Sequence, residues 1–538
     1  MPGRAAAPAH VPFHGSAREA PPGAGRATTD VVIVGSGPNG LAAAVTMARA
    51  GLGVTVLEAA PTIGGGARTQ DLGLVEGMVH DVCSAVHPMA WASPFFRAFD
   101  LRARGVELLS PDVSYAQPLP GARAGIAYRD LGRTVEGLGA DGPAWASLVG
   151  ALARAWPHTA RVALGDKRSI PAGLLPGGAA TVARFGAAVV EQGTRAWDRR
   201  FVGDVAPALL TGVAAHAITP LPSTAAAGTA LLLAALAHAG RGWPVPRGGS
   251  ATIVAALVAD LEAHGGRVEV DRPVRSRADL PDARCVLFDT TPRTLLEVLG
   301  DEVPPSIARG LRAFRYGNAA AKVDFALSGP VPWEVPEVAR AGTVHVGGTR
   351  TEMVAAEAAV QSGGHAEWPM VLASDPTVVD PTRSVGGLRP LWTYAHVPAG
   401  SDVDVTEAVT AHIERYAPGF RDVVVASRCV PAAQTAAHDA NYVAGDIAAG
   451  AVSLWQMVAR PTLRADPYRV VSPAGSPGHA RSRGQDGRAT RAVYLCSAST
   501  PPGPGVHGLG GWYAARRALR DVFGIRSTPD LSPEGPTR

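Results

Sequence analysis

Near the start of the chain, Asp30-Val31-Val32-Ile33-Val34 is a continuous β-branched apolar run. That is the pattern of a central parallel strand buried on both faces. Leu41 to Ala50 reads as an Ala-rich helix, Gly51-Leu52-Gly53 stops it, and Val54-Thr55-Val56-Leu57 is a second strand ending in Glu58. The order recurs at the far end. Ala492-Val493-Tyr494-Leu495-Cys496 reads as a strand, Ser497 to Gly511 as a glycine-rich loop, and the stretch from about Trp512 to Phe523 as a helix. Between them, Gly265–Val270 and Arg284–Asp289 read as two more strands, with Thr290-Thr291-Pro292 closing the second. Such units must share one sheet, so the middle of the chain is an insertion. The longest apolar run, Ala225 to Ala237, falls short of the roughly 20 residues a bilayer requires. It reads as a buried helix, with a membrane-surface helix or the wall of an apolar tunnel as alternatives.

The first strand–helix turn is Gly35-Ser36-Gly37-Pro38-Asn39-Gly40. Gly35 permits the tight turn, Gly37 lets backbone approach a pyrophosphate, and Gly40 lets helix and strand pack closely. The helix N-terminus then offers unpaired N–H groups to phosphates. Glu58 follows Gly40 at close to the spacing of about 20 residues expected for the acid that accepts from ribose hydroxyls. Set between two strands and followed by that acid, the motif is a specific sign of a dinucleotide. Either NAD or FAD satisfies it.

Ile63-Gly64-Gly65-Gly66-Ala67-Arg68-Thr69 comes directly after the second strand. It resembles the glycine-doublet motif of amine oxidases, carotenoid desaturases and related flavoproteins. The resemblance implies FAD, with Gly65, Gly66 and Arg68 as cofactor contacts, although the triple glycine and the placing of Arg68 depart from the commonest spelling. The loop Ser497 to Gly511, which holds Gly505, His507 and Gly508, resembles the C-terminal flavin-binding segment of phytoene desaturase-like proteins. Trp243–Ser250, His80–Pro88, Asn441–Gly450, Gln456 and Arg460-Pro461 also resemble segments of that family. In it, the residue at Val274 meets adenine through its backbone. The likeness runs from Asp30 to about Gly524 and is nearest the branch of pyridine nucleotide-disulphide oxidoreductase domain-containing protein 2.

The resemblance implies an α/β fold: a Rossmann-like FAD-binding domain, discontinuous in sequence, with an inserted α+β substrate domain. The expected cofactor domain is 29–110, 244–300 and 485–525, and the substrate domain 111–243 and 301–484. Residues 1–28 and 526–538 read as disordered tails, the first lacking the apolar region of a secretory signal. The implied reaction is dehydrogenation of an apolar small-molecule substrate, polyene or lipid-like, by hydride transfer to flavin. Alternatives are amine-oxidase-like oxidation, a non-redox isomerase, and a flavin-bearing regulatory protein. No Cys-x-x-x-x-Cys follows the fingerprint and no second glycine fingerprint follows a strand. Disulfide-reductase chemistry and an NAD(P)H domain are therefore not expected, and oxygen or a quinone is the expected electron acceptor.

Composition adds little to this picture, with one exception. A net charge of +4 over 538 residues, without basic blocks, argues against a nucleic-acid partner. Four dispersed cysteines predict no metal site, no disulfide framework and a cytoplasmic setting, with peripheral membrane contact left open. The exception is lysine, found only at Lys167 and Lys322 in a chain otherwise basic through arginine. Lys322 lies in Ala319–Phe325, which resembles the amine-oxidase strand whose lysine holds a water beside the flavin N5. It is one catalytic candidate. His507 is the other, as a donor or proton shuttle, with simple packing as its rival. His80, His87 and His216 read as structural. Asp446 and Arg460 read as channel or domain contacts, and Trp243, Tyr442 and Trp455 as pocket lining or core.

Overall fold

A computed structural model describes residues 29–165, 178–473 and 491–533. The expected N-terminal tail and residues 534–538 lie outside the described residues.

The β-branched runs do form one sheet. Its strands lie in the order Arg469–Val471, Ala492–Leu495, Cys285–Phe288, Val31–Val34, Val54–Leu57 and Arg267–Glu269. All neighbours are parallel except the antiparallel edge strand Arg469–Val471. Val31, Val32, Ile33, Cys285, Val286, Leu287 and Phe288 are fully buried, as a sheet covered on both faces requires. Parallel pairing brings every carboxyl end to one edge, so the loops after Val34, Leu57, Phe288 and Leu495 converge there. In open α/β sheets that edge is the ligand crevice.

Helix Pro38–Arg49 packs on this sheet beside helix Leu509–Phe523. The two backbones touch: a Cβ at Gly511 would lie 1.7 Å from the Asn39 carbonyl oxygen. Both helix N-termini therefore face the same crevice.

The inserted part is built on a second sheet of seven strands. Their order is Val424–Val430, Ala319–Leu327, Arg389–Val397, Val371–Ser374, Val344–Val346, Val113–Leu119 and Arg123–Tyr128. Period-2 alternation separates its faces. Ala319, Ala321, Val323, Phe325, Leu391 and Ala395 pack toward helix Thr406–Glu414. Ala320, Lys322, Asp324, Trp392, Tyr394 and His396 occupy the other face. Helix Thr224–Ala237 is buried against neighbouring helices, which rules out a membrane-surface role for it. Among the described residues no helix is long and apolar enough to cross a membrane.

Two boundaries differ from expectation. Arg469–Val471 and the helix Pro305–Arg312 belong with the cofactor sheet and not with the insertion: Ile307 and Leu311 pack with Val32 and Phe288. A three-residue edge strand carries too little periodicity to be seen in sequence. Residues 526–533 are no loose tail. Leu531 is 2% exposed, and Arg49 and Arg104 donate to the carbonyls of Asp530, Leu531 and Ser532.

Candidate functional site

The glycine turn is shaped for close approach. Gly35 has φ +100°, and a Cβ at Gly40 would lie 2.3 Å from the Gly35 carbonyl oxygen. Pro38 occupies the first turn of the helix, where its missing N–H costs nothing. Glu58 accepts from Ser36 N at 2.9 Å, Ser36 Oγ at 2.5 Å and Ala60 N at 2.9 Å. Ser36 Oγ in turn accepts from Gly64 N at 3.1 Å, linking the fingerprint to the glycine-doublet loop. Val274 is half-buried beside the sheet, five residues beyond Glu269.

The doublet loop crosses the turn directly. A Cβ at Gly65, whose φ is +52°, would lie 3.2 Å from Gly37 Cα, so a side chain there would crowd the cradle. Arg68 is buried and donates to the carbonyls of Gly65, at 2.8 Å, and His438. It braces the loop here. Asn39 Oδ1 is buried without a hydrogen-bond partner among the described residues. The cradle therefore fits a dinucleotide: small backbone, a helix N-terminus and an unsatisfied polar atom at the crevice.

Sequence reasoning missed Asp289. It ends the strand beside Val31–Val34, and its Oδ2 accepts from Gly40 N at 2.8 Å. A Cβ at Gly37 would lie 2.6 Å from that oxygen. Burial, with Asp439 and Glu58 nearby, pushes its carboxyl up to about 8, against the pull of the Gly40 N–H. A neutral acid thus sits where a pyrophosphate would add negative charge. Its position at a carboxyl strand end was the available signal.

His507 is fully buried. Its Nε2 meets the Gly503 carbonyl at 3.1 Å and its Nδ1 accepts from Leu509 N at 3.1 Å. Both ring nitrogens thus brace the loop at the second helix N-terminus. Gly505 (φ +131°) and Gly508 (φ +68°) supply the left-handed backbone of that loop. Side chains there would strike Met89 and Phe95.

Lys322 lies on the other side of the cradle. A cavity of about 40 Å³ is lined by residues that include Cys83, Lys322, Asp324, Tyr394, His438 and Tyr442. It adjoins the doublet loop, since a Cβ at Gly66 would lie 2.2 Å from Tyr442 Oη and 3.6 Å from Cys83 Cβ. Lys322 donates to Asp324 and lies 5.2 Å from the Trp392 ring centroid. Burial draws its ammonium below the ordinary value, with Asp324 opposing. Asp324, two residues on, was recoverable from strand period alone. A larger cavity of about 550 Å³, lined by Arg97, Arg161, Arg516, Trp512 and others, shares no residue with the glycine loops.

Asp81 joins the two halves. It accepts from Thr69 Oγ1 at 2.7 Å, Ser250 N at 2.8 Å and Arg383 Nη1 at 3.1 Å. Burial raises its pKa, but Arg383 and the hydrogen bonds outweigh that and hold it below the usual range. His87 bonds Ser250 Oγ at 2.7 Å and burial lowers it to about 4, a structural role. His80 lies 3.4 Å from Asp324. Asp446 clamps a turn by accepting from the N–H groups of Gly317, Ala448 and Gly450. Buried Arg460 donates to the Gly450 carbonyl at 2.7 Å. Trp455 is 65% exposed and does not line the Lys322 cavity, whereas Trp243 is core and Tyr442 borders that cavity.

Comparison with known proteins agrees with this geometry. Residues 33–100 match the family model described as an NAD(P)-binding Rossmann-like domain. No curated protein matches the chain. Among solved structures, putrescine oxidase bound to putrescine is similar over 92% of this chain and 99% of its own, at 16% identity and a TM-score of 0.57. Cyclohexylamine oxidase from Brevibacterium oxydans IH-35A is similar over 93% and 98%, at 14% identity and a TM-score of 0.53. The chain therefore has a Rossmann-like dinucleotide-binding domain within a fold shared, over nearly its full length, with these oxidases.

Proposed function

We propose that this protein is an FAD-dependent oxidoreductase that takes a hydride from a C–H bond of a largely apolar small molecule held at Lys322. The observation that carries the reading is the contact between cradle and cavity: Gly66 of the doublet loop abuts Tyr442 and Cys83, which line the pocket beside Lys322. When bound, FAD supplies a two-electron acceptor, and the protein supplies position and exclusion of water.

Glu58 would hold ribose hydroxyls, Gly37 and Gly65 would pass the pyrophosphate, and the N-termini of Pro38–Arg49 and Leu509–Phe523 would face its anionic groups. Arg68 and His507 would keep the two loops in shape, and Val274 would meet the adenine. Lys322 would orient a water or the substrate at the reacting face. The substrate would lose a hydride to the bound FAD and a proton to the water that Lys322 holds, which leaves a carbon–carbon double bond. Oxygen or a quinone would be the final acceptor of the two electrons. Exposed Leu454, Trp455, Val458 and Leu463 offer a peripheral apolar contact suited to a lipid-like substrate.

A second reading, oxidation of a neutral amine at its C–N bond, is favoured by the Tyr394 and Tyr442 side chains that line the cavity together and by the two amine-oxidising neighbours. The deciding experiment is the anaerobic visible spectrum of purified holoprotein titrated with a polyene lipid extract and, separately, with primary amines. Bleaching by the extract with recovery in oxygen or quinone supports desaturation, and bleaching by amines supports the second reading. A protein that stays colourless after FAD is added sinks both.

A further inference from the structure

Along the sheet face that carries Lys322 there is a second group of polar side chains. Lys322, Tyr394, Leu372 and His345 pair in one row across four strands, about 14 Å end to end at the usual strand spacing. His396 lies two residues beyond Tyr394, opposite Ala320, and its ring stacks on Tyr394 with centroids 5.7 Å apart. His396 Nδ1 bonds Glu357 Oε1, and both side chains are fully buried. His345 Nε2 meets His216 Nε2 at 2.8 Å, and Trp243 packs on both rings.

The group leaves five buried polar atoms without a partner among the described residues: Glu357 Oε2, His396 Nε2, His345 Nδ1, Gln117 Oε1 and Tyr115 Oη. Each such atom is destabilising if left unmatched. Water or a ligand group from outside the chain would satisfy them. Glu357 Oε2 and Gln117 Oε1 only accept, so the matching group must donate. Gln117 is oriented by its Nε2, which donates to the Gly348 carbonyl at 2.8 Å. A metal does not fit, since among the described residues no three His, Cys, Asp or Glu side chains are arranged to hold one.

The group also borders the cavity: Tyr394, which lines it, stacks on His396, and Ala320, which lines it too, stands opposite His396. His216, Val86 and Ile447 are each partly exposed. Ile447 lines the Lys322 cavity, and Val86 packs on both flanking core clusters. We infer that His216, His345, His396 and Glu357 form a polar subsite of the same cleft, which takes a hydrogen-bond-donating hydroxyl or amine at the far end of a substrate whose oxidisable carbon lies at Lys322. The inference rests on the reading of that cleft as the oxidation site. The substrate is then bifunctional, with an apolar stretch of about 8–14 Å between its two ends.

The test is calorimetric binding to the full-length holoprotein of three probes of equal length: octan-1-ol, octylamine and 1-methoxyheptane, which accepts but cannot donate. A donor bonded to a buried carboxylate should give the alcohol or the amine about a tenfold tighter Kd than the ether. Glu357→Gln and His396→Phe should each erase that advantage. If Glu357→Gln fails to fold, His216→Asn at the partly exposed edge is read in the same way. Preference for octylamine identifies an ammonium ligand, and preference for octan-1-ol a hydroxyl. Equal binding of all three probes means that buried water alone satisfies these atoms, and overturns the subsite. A preference that survives all the substitutions places the donor elsewhere and overturns it too. Binding is read without turnover, so a Glu357-dependent preference in a protein that never bleaches upholds the subsite while defeating the oxidation reading.

Discussion

The six-stranded sheet is apolar on both faces, and its polar work is done at strand ends by main-chain groups: Gly35, Gly37, Gly40 and Gly65 bring backbone to the crevice. The seven-stranded sheet is apolar on one face only. Its other face carries Lys322, Asp324, His345 and His396 in the protein interior. A sheet that binds through backbone is far more sensitive to an added side chain than to a change in charge. A sheet that works through buried side chains has the opposite sensitivity. Substitutions in the two regions should therefore separate cofactor binding from chemistry.

The strongest attempt to break that contrast is Gly37→Val. Its side chain would fill the space a pyrophosphate needs and strike Asp289 Oδ2. The expected product is a folded protein that purifies colourless and takes up no FAD, checked by absorbance after reconstitution. A fully yellow variant would break the assignment of the cradle. Next is Arg383→Met, which leaves Asp81 buried beside Thr69 and Ser250 without its guanidinium. Removing one partner of a buried pair costs about 3–5 kcal/mol, to be read as a lowered denaturation midpoint. A loss under about 1 kcal/mol would show that Asp81 does not join the two halves.

Lys322→Met sharpens the comparison from the other side. FAD content should be unchanged while the rate of anaerobic flavin reduction falls about a hundredfold, the lower end for loss of a positioned proton-handling group. Loss of FAD instead would move Lys322 into the cradle. The smallest effect concerns Asp289. Its folded pKa, about 8, exceeds the value of 3.8 for a solvated carboxyl. The native state therefore binds more protons than the unfolded state between about pH 4 and 8, and stability of the apoprotein falls as pH rises through that window. Asp289→Asn should remove that slope and gain most over the natural protein above pH 8. FAD affinity of the natural protein should weaken several-fold over the same rise, because an ionised Asp289 repels the pyrophosphate. A binding titration at pH 7 and pH 9 that finds no change would place the phosphates away from Asp289.

Much of the cradle was legible in the chain alone. A β-branched run, a glycine turn and a following acid are local features, each dictated by the conformation of a few adjacent residues. Strand Val31–Val34, helix Pro38–Arg49 and Glu58 accordingly stand where their pattern puts them. The apolar run from Ala225 to Ala237 was legible as a helix, but only packing decided what it is buried against. Lys322 stood out by composition, whereas the cavity beside it is assembled from residues far apart in sequence.

The sequence by itself determined the elements and the backbone devices that need glycine, because φ/ψ preference and side-chain period act over a few residues. Tertiary structure decided the rest. Asp81 and Arg383 are 302 residues apart, Asp289 reaches Gly40 from the neighbouring strand, 249 residues on, and His216 meets His345 only because the sheet folds beneath its helix layer. Charge pairing and burial depend on which distant side chains share a low-dielectric space, and no local pattern along the chain encodes that.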